Sequence, residues 1–213
     1  MLRSLRLKFG VVAGLVFAAA PLGAGEWQTL FNGRNLDGWE AIDGPLASWK
    51  VDDGLLYCSG GGGGWLSTKN TYKNFEVEVE FRVPAGGNSG VFLRAPHEGN
   101  PAFAGMEVQI LDDADAQYAS LQPYQYCGSL YGIAAPKTRV SKPAGEWQKL
   151  AITCVGRRVT AKLNGTPIVD ADLDAHPDKE KEHPGIKRNE GYVGLQNHGT
   201  RLDFRSVRLR ELP

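Results

Sequence analysis

The chain has 213 residues, of which 42% are hydrophobic, and its 24 Lys and Arg side chains balance 24 Asp and Glu side chains. This length is sufficient for one domain with a full buried core. The even charge balance and the lack of basic clusters exclude the electrostatic footprint of a nucleic-acid-binding protein.

The N-terminus has the pattern of an export signal. Three basic residues among the first eight precede an apolar stretch, Gly10–Ala20, which is too short to be a stable anchor across a bilayer. We expect cleavage of residues 1–24 after Ala24, and an uncleaved anchor is the alternative. Residues 25–213 would then form one periplasmic or extracellular domain with 21 basic against 24 acidic side chains, a net charge of −3.

Alternating residues and turn dipeptides predict a succession of short strands. The clearest is Phe75–Val83, in which apolar side chains alternate with Glu76, Glu78, Glu80 and Arg82. This period of two places the apolar set in a core and the charged set on a solvated outer face. Further strands and hairpins are predicted at Trp49–Cys58 with a turn at Asp53-Gly54, Trp65–Thr68, Trp147–Val155, Arg158–Leu163, Pro167–Asp170 after a turn at Asn164-Gly165, Tyr192–Gln196 and Leu202–Leu209.

Two neighbouring strands, Gly90–Arg94 and Met106–Leu111, are predicted in the middle of the chain. Apolar residues of the second strand alternate with Glu107 and Gln109, so these two side chains share the face opposite the core. Arg94 ends the first strand, and its guanidinium fork suits oxygen anions and polar substrates. An acid, an amide and an arginine on one sheet face predict a binding surface.

Two longer segments have no clear period. Ala114–Pro136 is rich in Tyr and Gly, and we expect a long loop that crosses the sheet, a kind of loop that often carries function. Asp172–Asn189 is charged, and its His176 and His183 are expected to be solvated. With roughly ten to twelve short strands and almost no helical period, the pattern is that of an all-β sandwich or jelly roll.

The three cysteines leave at least one thiol unpaired. Cys154 alternates with apolar residues of a strand and is expected to be a buried hydrophobe. A disulfide between Cys58 and Cys127 is possible in an exported protein, and the sequence alone does not establish it.

Six short motifs follow one another along the predicted domain. They are LFNGRNLDGW (Leu30–Trp39), GNSGVFLR (Gly87–Arg94), GMEVQILDD (Gly105–Asp113), GSLYG (Gly128–Gly132), GEWQ (Gly145–Gln148) and GYVGLQNHG (Gly191–Gly199). Together they resemble the 3-keto-disaccharide hydrolase domain family over nearly all of residues 25–213. The resemblance implies a concanavalin A-like jelly-roll sandwich of two antiparallel sheets, with the substrate on the concave face.

The resemblance also implies cleavage of sugars that carry a ketone at C3. Such a ketone acidifies the C2 proton, so a base can form an enolate, the group at C1 can leave by elimination, and water can add to the unsaturated sugar. This chemistry needs a general base, a group that stabilises the enolate oxygen, and an acid for the leaving group. It also requires a source of the keto-sugar, for which an upstream sugar 3-oxidoreductase is the candidate partner.

We expect Glu107 to be the base, because partial burial on a strand would raise its pKa toward a useful value. His198 is the second acid–base candidate, since imidazole titrates near neutral pH. Arg94 is the candidate for binding substrate oxygens or the enolate. The candidates for sugar binding are Asn88, Gln109, Asp112, Tyr131, Gln196 and Asn197.

Two other functions remain open. A non-catalytic sugar-binding module would show an open face with aromatic platforms and no acid–base pair. A retaining glucanase-type glycosidase uses a Glu-x-Asp-x-x-Glu motif, to which Glu107, Gln109 and Asp112 correspond only in part, because the middle acid is an amide and the last is one carbon shorter. A divalent cation is possible if Glu107, Asp112 and His198 converge, and no metal or other cofactor is assigned.

Overall fold

The structure is a computed structural model that describes residues 25–61 and 63–213. The predicted export signal, residues 1–24, lies outside the described residues. In the described part of the chain, no helix is long and apolar enough to cross a membrane.

Two antiparallel sheets face each other, which confirms the predicted all-β sandwich. The eight-stranded sheet consists of β11 (Thr166–Asp172), β10 (Arg158–Leu163), β9 (Trp147–Val155), β6 (Phe75–Arg82), β13 (Leu202–Glu211), β4 (Leu55–Cys58) and β3 (Trp49–Asp52) in this order, with β1 (Gln28–Thr29) also paired to β13. The five-stranded sheet consists of β2 (Trp39–Ile42), β5 (Trp65–Tyr72), β12 (Gly191–Gln196), β7 (Asn88–Ala95) and β8 (Met106–Leu111) in this order. One short helix, α1 (Pro101–Ala104), joins β7 to β8.

The strand β6 shows why these residues form a sandwich. Its apolar side chains are fully buried between the sheets, whereas its three glutamates lie on the outer face. There Glu76 pairs with Arg210 and Glu80 pairs with Arg205, both on the same outer face. The predicted division of this strand into an apolar and a charged face is therefore confirmed.

Two of the predicted turns connect strands as expected. Asp53 and Gly54 (φ 48° and 72°) join β3 to β4, and Asn164 and Gly165 (φ 52° and 85°) join β10 to β11. Positive φ at both central residues gives the turn twist that matches antiparallel strands, and Asn, Asp and Gly tolerate it best.

The long loop after β8 covers the edge of the five-stranded sheet rather than crossing its face. Gly128 N–H donates to the carbonyl of Gln109 at 2.8 Å, and Tyr131 N–H donates to the carbonyl of Glu107 at 2.9 Å. Leu130 is fully buried in the core beneath this edge. The loop thus supplies backbone partners to the strand that carries Glu107.

Cys154 is buried, as expected, whereas His183 is not solvated as expected. Cys58, Cys127 and Cys154 are all free and buried, so the possible Cys58–Cys127 disulfide is not formed in this structure. His183 was expected in a solvated loop, but it is 3% exposed and packs against Phe103, with ring centroids 4.9 Å apart. The expectation was wrong because the charged loop folds back over the end of α1. Burial there lowers the pKa of the His183 imidazole.

Candidate functional site

The outer face of the five-stranded sheet carries a cleft beneath α1. Strand alternation sends the apolar residues Val108 and Ile110 into the core between the sheets, so Glu107 and Gln109 point outward. The neighbouring strands β7 and β12 contribute outward side chains to the same cleft. The prediction that Glu107 and Gln109 share the face opposite the core is confirmed.

Two adjoining cavities make up this cleft. The first, here named the Glu107 cavity, has a volume of about 160 Å³, and its lining residues are Asn88, Asn100, Ala102, Phe103, Glu107, Gln109, Tyr131, Gln196 and His198. The second, here named the Trp65 cavity, has a volume of about 340 Å³, and its lining residues are Asp43, Gly64, Trp65, Phe92, Gly99, Asn100, Pro101, Gln196, Asn197 and His198. Asn100, Gln196 and His198 line both cavities and so mark the boundary between them.

Glu107 is the buried acid of the Glu107 cavity. The residue is 2% exposed, and its Oε1 atom has no hydrogen-bond partner. Removal from water disfavours the charged carboxylate, and this desolvation raises the pKa of Glu107 to about 8. Among the described residues that line this cavity, Glu107 carries the one carboxyl group.

The space for this carboxyl group comes from Gly90 on the neighbouring strand. A Cβ atom at Gly90 would overlap Glu107 Oε1. Gly90 is followed two residues later by Phe92, which pairs directly with Glu107 in the strand register. A glycine within a strand often marks a close approach of another group, and here that group is the candidate base.

Polar side chains surround the acid at fixed positions. Gln109 Nε2 donates one of its two amide protons to Asn88 Oδ1 at 3.0 Å, which leaves the second for another acceptor. The Tyr131 hydroxyl oxygen accepts a hydrogen bond from Gln125 Nε2 at 3.1 Å, so the hydroxyl proton is available to another acceptor. These groups can bind sugar hydroxyl or carbonyl oxygens.

His198 lies at the exposed end of the cleft, just beyond β12, where it lines both cavities. Its neighbour Asn197 is 3% exposed and faces the interior of the loop. Asn197 Nδ2 donates to the Gly61 carbonyl at 2.9 Å, and Asn197 Oδ1 accepts from Gly199 N–H at 3.1 Å. Asn197 therefore fixes the backbone that presents His198.

Arg94 does not lie in the cleft, which corrects its predicted position. Leu93 and Arg94 together oppose Val193 of β12, so the strand contains a β-bulge at this point. The extra residue, with Arg94 at φ 49°, reverses the expected facing of the side chain.

The guanidinium of Arg94 is instead fully buried and bound to the backbone. It donates to the carbonyls of Lys73, Gly156 and Arg188 at distances of 2.6 to 3.2 Å. Lys73 and Gly156 belong to turns next to β6 and β9 in the opposite sheet, so Arg94 ties the two sheets together.

Asp112 is also outside the Glu107 cavity. Its carboxylate accepts hydrogen bonds from Gly86 N–H at 3.0 Å and from Ala114 N–H at 3.4 Å, and it lines a separate cavity with Arg139 and Ser141. The convergence of Glu107, Asp112 and His198, which was the condition for a divalent cation, is therefore not seen. The described residues contain no group of three or more His, Cys, Asp and Glu side chains arranged to hold a metal ion.

Several residues that line the cleft were not predicted, among them Trp65, Asn100 and Phe103. Trp65 is 1% exposed, its indole N–H has no partner, and its six-membered ring lies against Gly194. Asn100 caps α1 by accepting from Ala102 N–H at 3.0 Å, and Phe103 covers the Glu107 cavity from the helix. The Asn100-Pro101 dipeptide is a recognisable helix start, but no sequence pattern places that helix over the sheet.

Comparisons with known proteins agree on the family and the fold. Residues 26–210 match the model of the 3-keto-alpha-glucoside-1,2-lyase-like domain. A curated 3-keto-disaccharide hydrolase from Bacteroides thetaiotaomicron is 28% identical, with 90% of this chain and 80% of that protein covered.

Solved structures give the same picture. Two proteins from Parabacteroides distasonis, provisionally described as glycosyl hydrolases, superpose with TM-scores of 0.78 and 0.77 at 26% and 29% identity; they cover 89% and 88% of this chain, and 94% and 100% of their own chains are covered. A family GH16 endo-β-1,3(4)-glucanase superposes with a TM-score of 0.54 at 12% identity, over 90% of this chain and 94% of its own. The last comparison supports the predicted concanavalin A-like fold alone.

Proposed function

Because the chain belongs to the family of 3-keto-alpha-glucoside-1,2-lyase-like domains, we propose that it hydrolyses glycosidic bonds of 3-keto-sugars by elimination followed by hydration. The curated Bacteroides relative is named for hydrolysis of 3-keto-disaccharides, which supports this substrate class. The observation that carries the proposal is the single buried carboxyl group of Glu107, whose Oε1 atom has no hydrogen-bond partner, in a polar cavity.

Glu107 is the base that removes the C2 proton. Its carboxylate takes the proton, and the electrons of the C2–H bond form the enolate that spans C2, C3 and the C3 oxygen. A carboxyl group with a pKa of about 8 is a stronger base than an exposed glutamate and still ionises near neutral pH. Its burial therefore suits proton abstraction next to a ketone.

The developing charge on the C3 oxygen is stabilised by neutral donors. The free proton of the Tyr131 hydroxyl and the second amide proton of Gln109 lie in the same cavity as the base. Donors held in place by other side chains need no reorganisation as charge develops. These two residues replace Arg94 in the predicted role.

His198 completes the reaction at the cavity boundary. As the enolate collapses, the C1–O bond breaks, and the imidazolium of His198 protonates the departing oxygen while a C1=C2 double bond forms. Water then adds its oxygen to C1 and gives one proton to the neutral imidazole of His198, and the proton held by Glu107 returns to C2. The net change is the addition of one water across the glycosidic bond.

The alternatives fit the cleft less well. A sugar-binding module gains nothing from a buried carboxyl group with a strongly raised pKa, whereas such groups cluster at catalytic sites. A retaining glycosidase needs two carboxyl groups about 5–5.5 Å apart, and Glu107 is the one acid among the described residues of its cavity.

The proposal extends to location and supply. The basic and apolar N-terminal pattern supports export, with action in the periplasm or outside the cell. The substrate must come from a reaction that oxidises the C3 hydroxyl of a glycoside, which is oxidoreductase chemistry.

The test compares a 3-keto-disaccharide with its unoxidised parent. We expect release of the free sugar from the keto-disaccharide only, together with exchange of the C2 proton in D₂O. Glu107→Gln should abolish both, because its amide cannot take a proton. Cleavage of the parent alone would overturn the proposal, and binding without turnover by the wild-type protein would favour the sugar-binding module.

A further inference from the structure

The Glu107 cavity is too small for a disaccharide. Its volume of about 160 Å³ lies below the roughly 300–1,000 Å³ typical of pockets that enclose ligands of that size. The adjoining Trp65 cavity adds about 340 Å³ beyond the boundary formed by Asn100, Gln196 and His198. A substrate with two rings therefore needs both cavities.

The position of the base decides which ring occupies which cavity. Glu107 lines the first cavity and is not among the residues that line the second. The ring that loses its C2 proton must contact Glu107, and the scissile bond at C1 is one carbon away. His198, which lines both cavities, then stands where the departing oxygen needs a proton.

The Trp65 cavity has the chemistry of a sugar subsite. Trp65, Phe92 and Pro101 form an apolar wall of this cavity, although the two aromatic rings are only 1% and 2% exposed. An apolar wall suits the C–H face of a pyranose. Two buried polar atoms of its lining, Trp65 Nε1 and Gln196 Oε1, have no partner. One is a donor and the other an acceptor, and sugar hydroxyls can pair with either kind of group.

We propose that the Trp65 cavity binds the sugar that leaves from C1, while the Glu107 cavity binds the 3-keto ring. This inference rests on the proposed function and adds the orientation of the substrate. Trp65 is then a residue that determines specificity for the leaving group and takes no part in proton transfer.

The test uses two substrates that share the 3-keto ring and the anomer. One is a 3-keto-disaccharide and the other is the methyl 3-keto-glycoside, whose leaving group is too small to fill the Trp65 cavity. We expect Trp65→Phe to lower kcat/KM for the disaccharide about tenfold more than for the methyl glycoside, the effect of one lost hydrogen bond.

Two further variants make the result decisive. Because Trp65 is buried, Asp43→Gly probes the same cavity from an exposed position whose φ of 53° glycine accommodates, and it should shift the ratio in the same direction. Tyr131→Phe alters the Glu107 cavity alone and should lower kcat/KM for both substrates by similar factors. Circular dichroism and a melting curve establish that each variant is folded.

The outcomes separate this inference from the proposed function. Equal losses for both substrates in folded Trp65→Phe and Asp43→Gly would overturn the orientation and leave the proposed function standing. Failure of the wild-type protein to convert either keto-substrate would overturn the proposed function, and the assignment of the leaving-group site would fall with it.

Discussion

The carboxyl group of Glu107 occupies the space in which a side chain at Gly90 would begin. Gly90 is absent from the residues with positive φ, so the glycine supplies space here and not an unusual backbone conformation. An adjacent strand therefore shapes the position of the base, and the two residues should respond to mutation as a pair.

Gly90→Ala should lower kcat/KM at least about 100-fold, because the new methyl group must displace the carboxylate from its position. It should also destabilise the fold by about 1–3 kcal/mol through overpacking. Steady-state kinetics and urea denaturation measure the two effects.

The control for this variant is a double-mutant cycle. In a Glu107→Ala background the methyl group has room, so Gly90→Ala should cost much less stability there. Equal costs in both backgrounds would show that the two side chains do not compete for space.

The free energy of unfolding of Glu107→Gln should rise relative to that of the wild-type protein as the pH increases from about 4.5 to about 8. In this window the folded wild-type protein keeps a proton on Glu107 that the unfolded chain has released, so the folded state binds more protons and stability falls with pH. The glutamine variant lacks this loss. Each unit of pKa shift corresponds to about 1.4 kcal/mol, so the free energies of unfolding should diverge by a few kcal/mol across the window. Parallel stability curves for the two proteins would contradict the raised pKa.

The pH dependence of turnover should report the same group. With an activated 4-nitrophenyl 3-keto-glycoside, which needs little help from an acid, kcat/KM should rise about tenfold per pH unit and level off near pH 8 as Glu107 ionises. A profile that is already flat between pH 5 and pH 7 would mean that the base has an ordinary glutamate pKa or is another group.

His198→Gln should affect substrates according to their leaving groups. Loss of the proton donor should lower kcat/KM by about 100-fold or more for a sugar leaving group, which departs poorly as an alkoxide. The loss should be much smaller for 4-nitrophenol. The same factor for both leaving groups would assign His198 to binding and not to proton transfer.

Arg94→Met should destabilise the protein by about 2–4 kcal/mol, because it leaves buried carbonyls without their donor. The folded fraction should keep kcat within about twofold, since Arg94 lies outside the cleft. Arg158→Met, which removes an exposed ion pair with Asp170, is the matched control and should change stability little. A large loss of kcat in folded Arg94→Met would indicate that Arg94 takes a direct part in substrate binding or catalysis.

Local sequence patterns predicted much of the fold because strand alternation and turn chemistry act over a few residues. Met106–Leu111 forms a strand with the predicted bounds, and the alternation places Glu107 and Gln109 together in the cleft. The position of His198 near them depends on the pairing of β12 with β7, which the local pattern does not contain. The resemblance to a family named His198 as a candidate without placing its strand.

The predictions that were wrong or absent have physical causes that cannot be read from a short stretch of sequence. One extra residue at Leu93–Arg94 reverses a side chain, and nothing in GVFLRA distinguishes a bulge from a regular strand. The burial of His183 depends on a loop that packs against a helix from another part of the chain. The placement of Trp65 beside Gln196 likewise follows from long-range strand pairing.

The loop that runs along β8 has a consequence for association between molecules. A bare outermost strand offers a row of amide and carbonyl groups to any other chain and invites aggregation or domain swapping. Here Gly128 and Tyr131 already occupy hydrogen-bonding positions of that row. The strand that holds the candidate base is thus protected from recruitment by a second molecule, and its register is fixed on both sides.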